Sequence, residues 1–321
     1  MKPRIRGFTS DDYGSVVGVL NSVYADYPTT VEEIRFNDEH NDPKCLQRRW
    51  VAEDGGAVVG TAEYVQHVGM YHPRKFSIDL AVRPDYPGRR IGAELYDHLM
   101  AALAPLDPIS LRVPHVRADQ MRGIRFLRDR GFVESLRSWE SRLDVARFDP
   151  APYAVVAEAV QTQGIAIATI VDLAGDPERN RKLHALETAV SLDIPHAEPV
   201  TPVSYQFFVD RVMGDPTMIP DAWFIAVHDG RYVGSSNLWQ SNGGENLYIG
   251  LTGVIREYRR RGIALALKLQ AIAWAREHGQ GELRTWNDST NRAILAINER
   301  LGFIRQPIWI SWNKTLHSET I

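Results

Sequence analysis

An α+β fold laid down twice in one chain is what this sequence predicts, and three internal repeats carry the prediction. Each half contains a tryptophan-led pair of alternating apolar strands: "WVAEDGGAVVGTAEY" from Trp50, turning at Asp54-Gly55, and "WFIAVHDGRYVGSSNLW" from Trp223, turning at Asp229-Gly230. Asp-Gly between two such runs is a strong hairpin signal, because both residues tolerate the positive φ of a tight turn. Each hairpin is followed by a short apolar strand, a basic glycine-containing turn and a helix: "FSIDLAVRPDYPGRRIGAELYDHLMAAL" and "LYIGLTGVIREYRRRGIALALKLQAIAWA". Each half then adds a strand ("ISLRVPH", "ELRTWND"), a second helix and a Gly-Phe pair, Gly131-Phe132 and Gly302-Phe303. Val82 recurs as Val254 and Phe132 as Phe303 at a nearly constant offset, so the pattern is a duplicated domain and not a solenoid.

Taken in order, "IRGFTSDDYGSVVGVLNSVY" reads as a short strand and a helix capped by Ser10 or Asp11. The second unit opens with "IAIATIVDLAGDPERNRKLHALETAV", a strand, a loop at Gly175 and a helix from about Asp176. Between them "DVARFDPAPYAVVAEAVQTQG" holds two prolines and a short helix, which divides the chain into domains at 1–150 and 151–321. A chain of 321 residues with 44% hydrophobic content suits two such cores.

The formal net charge of -3 gives no broad basic surface, so nucleic acid is not an expected partner. Cys45 is the single cysteine, which excludes an intrachain disulfide and a Cys-based structural zinc site. The N-terminus "MKPRIRGFTSDDYG" has no apolar leader, and no apolar run reaches the roughly 18 residues of a membrane span. The sequence therefore predicts a cytoplasmic protein with no membrane partner and no metal.

The turn at Arg259, Arg260 and Arg261 places three cations at a helix N-terminus, where the helix dipole disfavours them. An anion would reconcile this: free helix amides, Gly262 without a Cβ and the small Ala264 make a pyrophosphate cradle. No Gly-Lys-Ser/Thr follows, which excludes a P-loop. "TGVIREYRRRGIALAL" followed by "NRAILAINERLGF" resembles the GNAT superfamily of acetyl-CoA-dependent N-acetyltransferases, whose signature is Arg/Gln-x-x-Gly-x-Gly/Ala after a strand. Both halves carry its element order, so the chain is similar to a tandem GNAT protein with a splayed central strand pair in each mixed sheet. The resemblance implies acetyl-CoA as co-substrate. The pantetheine arm would lie along Leu251, Thr252, Gly253 and Val254, and the pyrophosphate on Arg259, Arg260, Arg261, Gly262, Ile263 and Ala264. Asn291 would touch the pantetheine, although its residue type suits a helix cap equally well. Trp286 and Trp309 read as packing residues.

In the first half the aligned turn is Pro87-Gly88-Arg89-Arg90-Ile91-Gly92. Pro87 removes an N–H and Arg90 stands at the signature glycine, which predicts a degenerate CoA site there and catalysis in the second half. For the chemistry, a backbone N–H of 251–254 would take the oxyanion charge, with Glu245 and Tyr248 as candidate base and acid. Asp79 occupies the central strand of the first half where the second has Leu251. The tyrosine many family members carry after the matching asparagine is replaced by Asn298, and by Leu127 in the first half. The expected reaction is acetyl transfer to a primary amine of a small molecule or peptide; the alternative is a non-catalytic acyl-CoA-binding or regulatory protein. The acceptor site would be shaped by "SLDIPHAEPVTPVSYQFF", where Asp193 and Glu198 are candidate cation contacts or plain loop charges.

Overall fold

The two expected sheets merge into one. A computed structural model describes residues 3–241, 243–244 and 246–317. The N-terminal half runs β1 (Arg4–Gly7), α1 (Tyr13–Val23), α2 (Val31–Glu39), β2 (Gln47–Asp54), β3 (Ala57–Val65), β4 (Lys75–Val82), α3 (Ile91–Leu103), β5 (Ser110–Arg117), α4 (Met121–Arg128) and β6 (Val133–Asp144). A short α5 (Val156–Gln161) links it to β7 (Ile165–Thr169), α6 (Arg179–Ser191) and α7 (Tyr205–Phe207). The chain continues through β8 (Met218–His228), β9 (Arg231–Gln240), β10 (Leu247–Val254), α8 (Ile263–Glu277), β11 (Glu282–Asp288), α9 (Arg292–Arg300), β12 (Ile304–Arg305) and β13 (Trp309–Thr315). Among the described residues no helix is long and apolar enough to cross a membrane.

The strand order is β1-β2-β3-β4-β5-β13-β6-β11-β10-β9-β8-β7, with β12 added on β6. The last strand of each half is exchanged. β13 lies antiparallel between β5 and β6, pairing Trp312 with Val113 and with Glu134. β6 divides its length: Val133–Ser138 pairs with β13, and Ser138–Asp144 pairs with β11. Side chains follow the strands, so Ile310 and Trp312 are buried in the N-terminal core beside Leu111 and Phe132. Leu143 and Val145 join the C-terminal core. A cut near residue 150 therefore divides the chain but not the sheet.

Each half contains the expected splayed pair. β4 and β5 run parallel and pair only from Lys75–Ser77 to Ser110–Arg112 before parting. β10 and β11 pair at Leu247–Leu283 and Tyr248–Arg284 and then part. The second hairpin turns on Asp229 (φ 48°) and Gly230 (φ 73°), as its sequence predicts. The first turns one residue later than expected, on Gly55 (φ 61°) and Gly56 (φ 83°), because Asp54 still pairs with Ala57. Neither Ser10 nor Asp11 caps the first helix: α1 follows Asp12, the last residue of a one-turn 3-10 segment (Ser10–Asp12) that Thr9 opens, where the Thr9 N–H donates to Asp12 Oδ2 at 2.8 Å and Arg6 anchors the same carboxylate.

Two stability predictions arise. Trp312→Ala removes a large buried side chain from a core encoded elsewhere in the sequence, and should cost about 3–5 kcal/mol in denaturant unfolding; a loss under 1 kcal/mol would show that the exchanged strand contributes little to the N-terminal half. Lys268, on α8, is fully buried with no hydrogen-bond partner for Nζ, and desolvation pushes its pKa down to about 7. The unfolded chain, with a lysine pKa near 10.4, holds that proton more tightly, so stability rises with pH between about 7 and 10. Lys268→Met should raise the melting temperature by several degrees at pH 6 and flatten that rise; an unchanged pH profile would refute it.

Candidate active site

Both halves keep the same turn between the central strand and the next helix. Gly88 (φ 75°) and Arg90 (φ 58°) reproduce the alternating left-handed conformations of Arg260 (φ 62°) and Gly262 (φ 82°). Arg90 is strained there by roughly 1–2 kcal/mol, yet the backbone path survives the substitution. Pro87 lacks an N–H, but the first amides of α3 and of α8 remain without intrahelical partners, since the earliest bonds are Glu94 N–H to Arg90 and Ala266 N–H to Gly262. Both turns thus fit an anionic pyrophosphate group.

In the C-terminal half Thr252, Gly253, Val254, Arg260, Gly262, Ile263, Ala264 and Asn291 line a groove of about 560 Å³, together with Arg259. Asn291 makes no side-chain cap bond, which leaves its amide free for a ligand. The Arg259 guanidinium is engaged: Nε donates to Val254 O at 2.9 Å, and another nitrogen binds Asp193, which Arg256 Nε also contacts at 2.9 Å. Arg259 therefore braces the turn, and Asp193 is not free to attract a cation. Arg261 stacks over the Tyr258 ring at 4.7 Å, and the Tyr258 hydroxyl meets His228 Nδ1 at 2.9 Å. The Leu251 N–H donates to Asn237 Oδ1 at 3.0 Å, at a bulge in β10 between Ile249 and Thr252, so this amide is withheld from an oxyanion. Val190 of α6 packs into the space a Cβ on Gly253 would need. Tyr248 sits where β10 and β11 still pair, its ring tilted against Trp286 with centroids 5.3 Å apart. Asn298 is buried with its amide on Asn287 Oδ1 at 2.7 Å. Glu245 lies outside the described residues.

The N-terminal half is more open. A groove of about 760 Å³ runs along Asp79–Arg83, the turn at Pro87–Ala93 and the start of α4. On the other face lies a second cavity of about 670 Å³ between α1, α2, β2 and β3, walled on its far side by Val203, Phe207, Arg211 and Trp239 of the C-terminal half. The segment expected to build the C-terminal acceptor site thus crosses over: Thr201 N–H bonds Gly69 O at 2.8 Å, and Glu198 pairs with Lys75 at 3.0 Å. Asp79 lines both cavities.

Around Asp79 the charges are unequal. Arg49 holds Asp38 at 2.8 Å and Glu63 at 2.7 Å. Glu63 stands opposite Asp79 in the β3–β4 register. Asp79 has no ion pair among the described residues and accepts the Leu80 N–H at 2.8 Å. Asp79 is partly exposed within the two cavities, and desolvation pushes its carboxyl up, against the Leu80 N–H and Arg49. Burial also pushes Glu63 up, with Arg49 opposing. Since the Arg83 N–H bonds Val59 O on β3, the alternation of the ladder turns the Leu80 and Val82 amides toward the splay.

Comparison with known proteins fits this geometry. The sequence profile described as "Acetyltransferase (GNAT) family" matches residues 16–132 and 185–303, well over half of the chain. The chain belongs to the acetyltransferase (GNAT) family. Curated relatives of this GNAT chain include N-alpha-acetyltransferase MAK3 of Arabidopsis thaliana, 34% identical over 125 residues, which are 38% of this chain and 62% of that protein. N-alpha-acetyltransferase 30 of Schizosaccharomyces pombe is 29% identical over 112 residues, 34% of this chain and 70% of that protein. Among solved structures, a tandem GNAT protein from the clavulanic acid biosynthesis pathway superposes with TM-score 0.78 at 20% identity, covering 99% of this chain and 100% of that one. A GCN5-related N-acetyltransferase from Sphaerobacter thermophilus gives 0.72 at 18% identity, covering 98% and 96%. These likenesses show the tandem GNAT fold.

Calorimetric titration with CoA should find two sites per chain. Gly262→Glu adds a Cβ and an anion at a left-handed position and should reduce the count to one. A single wild-type site that this variant abolishes would show that the N-terminal turn holds no pyrophosphate.

Proposed function

We propose that this GNAT chain transfers acetyl from acetyl-CoA to a primary amine, and that the N-terminal half performs the transfer. The observation that carries this reading is the position of Asp79 in the window between the CoA-sized groove and the interdomain cavity. An amine entering the cavity meets its one carboxylate without an arginine partner. Acetyl-CoA, held along β4 and the Pro87–Ala93 turn, would supply the activated acyl carbon at that window. Asp79 accepts a proton from the ammonium or from the attacking amine, and desolvation, which pushes its carboxyl up, makes it a stronger base than an exposed aspartate. The Val82 amide faces the splay and can take charge developing on the acyl oxygen, while the Leu80 N–H is held by the Asp79 carboxylate. Tyr24, on the rim of the same groove, is kept protonated by burial and then by Asp79's charge, and can return a proton to the departing sulfur. The relatives named N-alpha-acetyltransferases support an amine acceptor. The C-terminal groove would then bind acyl-CoA without turnover, since Leu251 replaces the carboxylate.

A second reading places the chemistry in the C-terminal half, where the signature Gly262 is kept. It is favoured by Glu187 of α6, whose carboxyl burial pushes up to about 7, eased by the Ser235 hydroxyl, and whose Oε1 is buried without a partner. Glu187 was not singled out from sequence; it occupies an ordinary helical position and acquires its character only when α6 packs on β9.

Release of free CoA thiol with pooled primary amines separates the two. Asp79→Asn should lower kcat/KM by about 10²–10⁴-fold and remove an acid limb on which activity falls as pH drops through the raised carboxyl pKa. Glu187→Gln should change it by less than about threefold, within the scatter of single contacts. The opposite pattern assigns the transfer to the C-terminal half.

A further inference from the structure

One charged group on the sheet face that carries Asp79, beside the 67–69 wall of the interdomain cavity, has no use in the proposed transfer. Arg112 of β5 stands beside Ser77 of β4 in parallel register and opposite Asn313 of β13. Residues in register share a face, so Arg112 lies on the face that carries Asp79, two positions further along β4. Two residues of rise and one strand spacing put their Cα atoms on the order of 8 Å apart. Arg112 Nε is buried with no hydrogen-bond partner, and Nη1 meets the Met70 sulfur at 3.3 Å. Asn313 Oδ1, opposite, is also unsatisfied. Glu198 is the carboxylate that acts on this guanidinium, and it is already bound by Lys75 at 3.0 Å. The local sum is therefore cationic.

Two imidazoles complete the patch. His67 lines the cavity, next to the turn that ends at Met70. Desolvation and then Arg112's charge push the pKa of His67 down, and that of His115 down to about 4, although each ring keeps open surface. Neither ring is hydrogen-bonded among the described residues, so both are neutral donors without an acceptor. A half-buried guanidinium whose Nε is sealed off without a partner is costly, and a carboxylate supplied by a ligand would relieve it with charge-assisted bonds.

We propose that Arg112, flanked by His67 and His115, binds an acid group carried by the acceptor, so that the N-terminal site takes an amine that is also a carboxylate, an amino-acid-like substrate. This rests on the N-terminal assignment above. The amine end goes to Asp79 and the acid end to Arg112, and the short separation of the two fits a molecule with a few bonds between its charges. Asp79 and Arg112 lie on one face of the sheet, while Val203, Phe207 and Trp239 of the other half wall the cavity that Asp79 lines.

The test compares 4-aminobutanoate with n-butylamine, which differ in the acid group alone, using the full chain and thiol release. Wild type should favour 4-aminobutanoate by about tenfold or more in kcat/KM, as one or two charge-assisted hydrogen bonds imply. Arg112→Met should narrow the preference to less than about twofold, and Arg112→Lys should fall between. Melting temperatures are read in parallel: 4-aminobutanoate should raise that of wild type but not that of Arg112→Met, which also shows that the variant folds. Equal treatment of the two amines, no selective thermal shift, or a preference that survives in Arg112→Met overturns the proposal. Failure of the underlying assignment has a separate mark, since thiol release would then persist in Asp79→Asn.

Discussion

The exchange of β6 and β13 is the constraint from which the rest of the molecule follows. Each half of the duplicated fold lacks a strand of its own and completes its sheet with one from the other, so the two sheets share a single hydrogen-bonded ladder. Because the shared strands are pinned by Trp312 on one side and Leu143 on the other, the halves cannot slide or rotate without unpacking a core. That fixed geometry brings the loop after α6 over the N-terminal cavity and brings Tyr27 against Trp309, with the Tyr27 hydroxyl and the Trp309 indole both on the buried Glu140 carboxylate. The functional surface of one half is thereby built in part by the other.

The window at the splay is the second consequence. A parallel pair that stays joined along its length would seal the sheet; β4 and β5 part after Ser77 and leave two facing cavities joined at Asp79. Neighbouring charges decide what that carboxylate can do. Arg49 neutralises Asp38 and Glu63, so the unpaired charge is concentrated on Asp79 at one end and on Arg112 at the other. In the C-terminal half the corresponding region is quieter: Asn237 holds the bulge amide and Val190 fills the space over Gly253.

Much of the fold was legible in the sequence because its signals are local. The Asp-Gly hairpins, the basic turn before α8 and the Gly131-Phe132 and Gly302-Phe303 pairs rest on φ requirements and short-range periodicity; Gly131 (φ 77°) and Gly302 (φ 82°) end their helices as such residues do. The exchange was not legible, since an alternating strand such as β13 looks the same whichever neighbours it pairs with. Site residues divide in the same way. Thr252 to Val254 and Gly262 to Ala264 fall on the groove because their role is set by backbone position. Arg259, expected at the pyrophosphate, lines the groove but also binds Asp193, which the sequence left open as a cation contact or a plain loop charge; spacing does not reveal such a contact between distant segments. Asp79 was visible as a carboxylate in a central strand, but its value depends on the cavity formed by Phe207 and Trp239, far along the chain.

The central claim is that acyl donor and amine meet at Asp79. The most direct measurement is a crystal structure of the full chain with a non-transferable thioether analogue of acetyl-CoA. The account predicts an analogue in the N-terminal groove with its acyl oxygen on the Val82 amide and its acyl carbon facing the interdomain cavity beside Asp79. An analogue found solely in the C-terminal groove, with its acyl group beside Glu187, would contradict it.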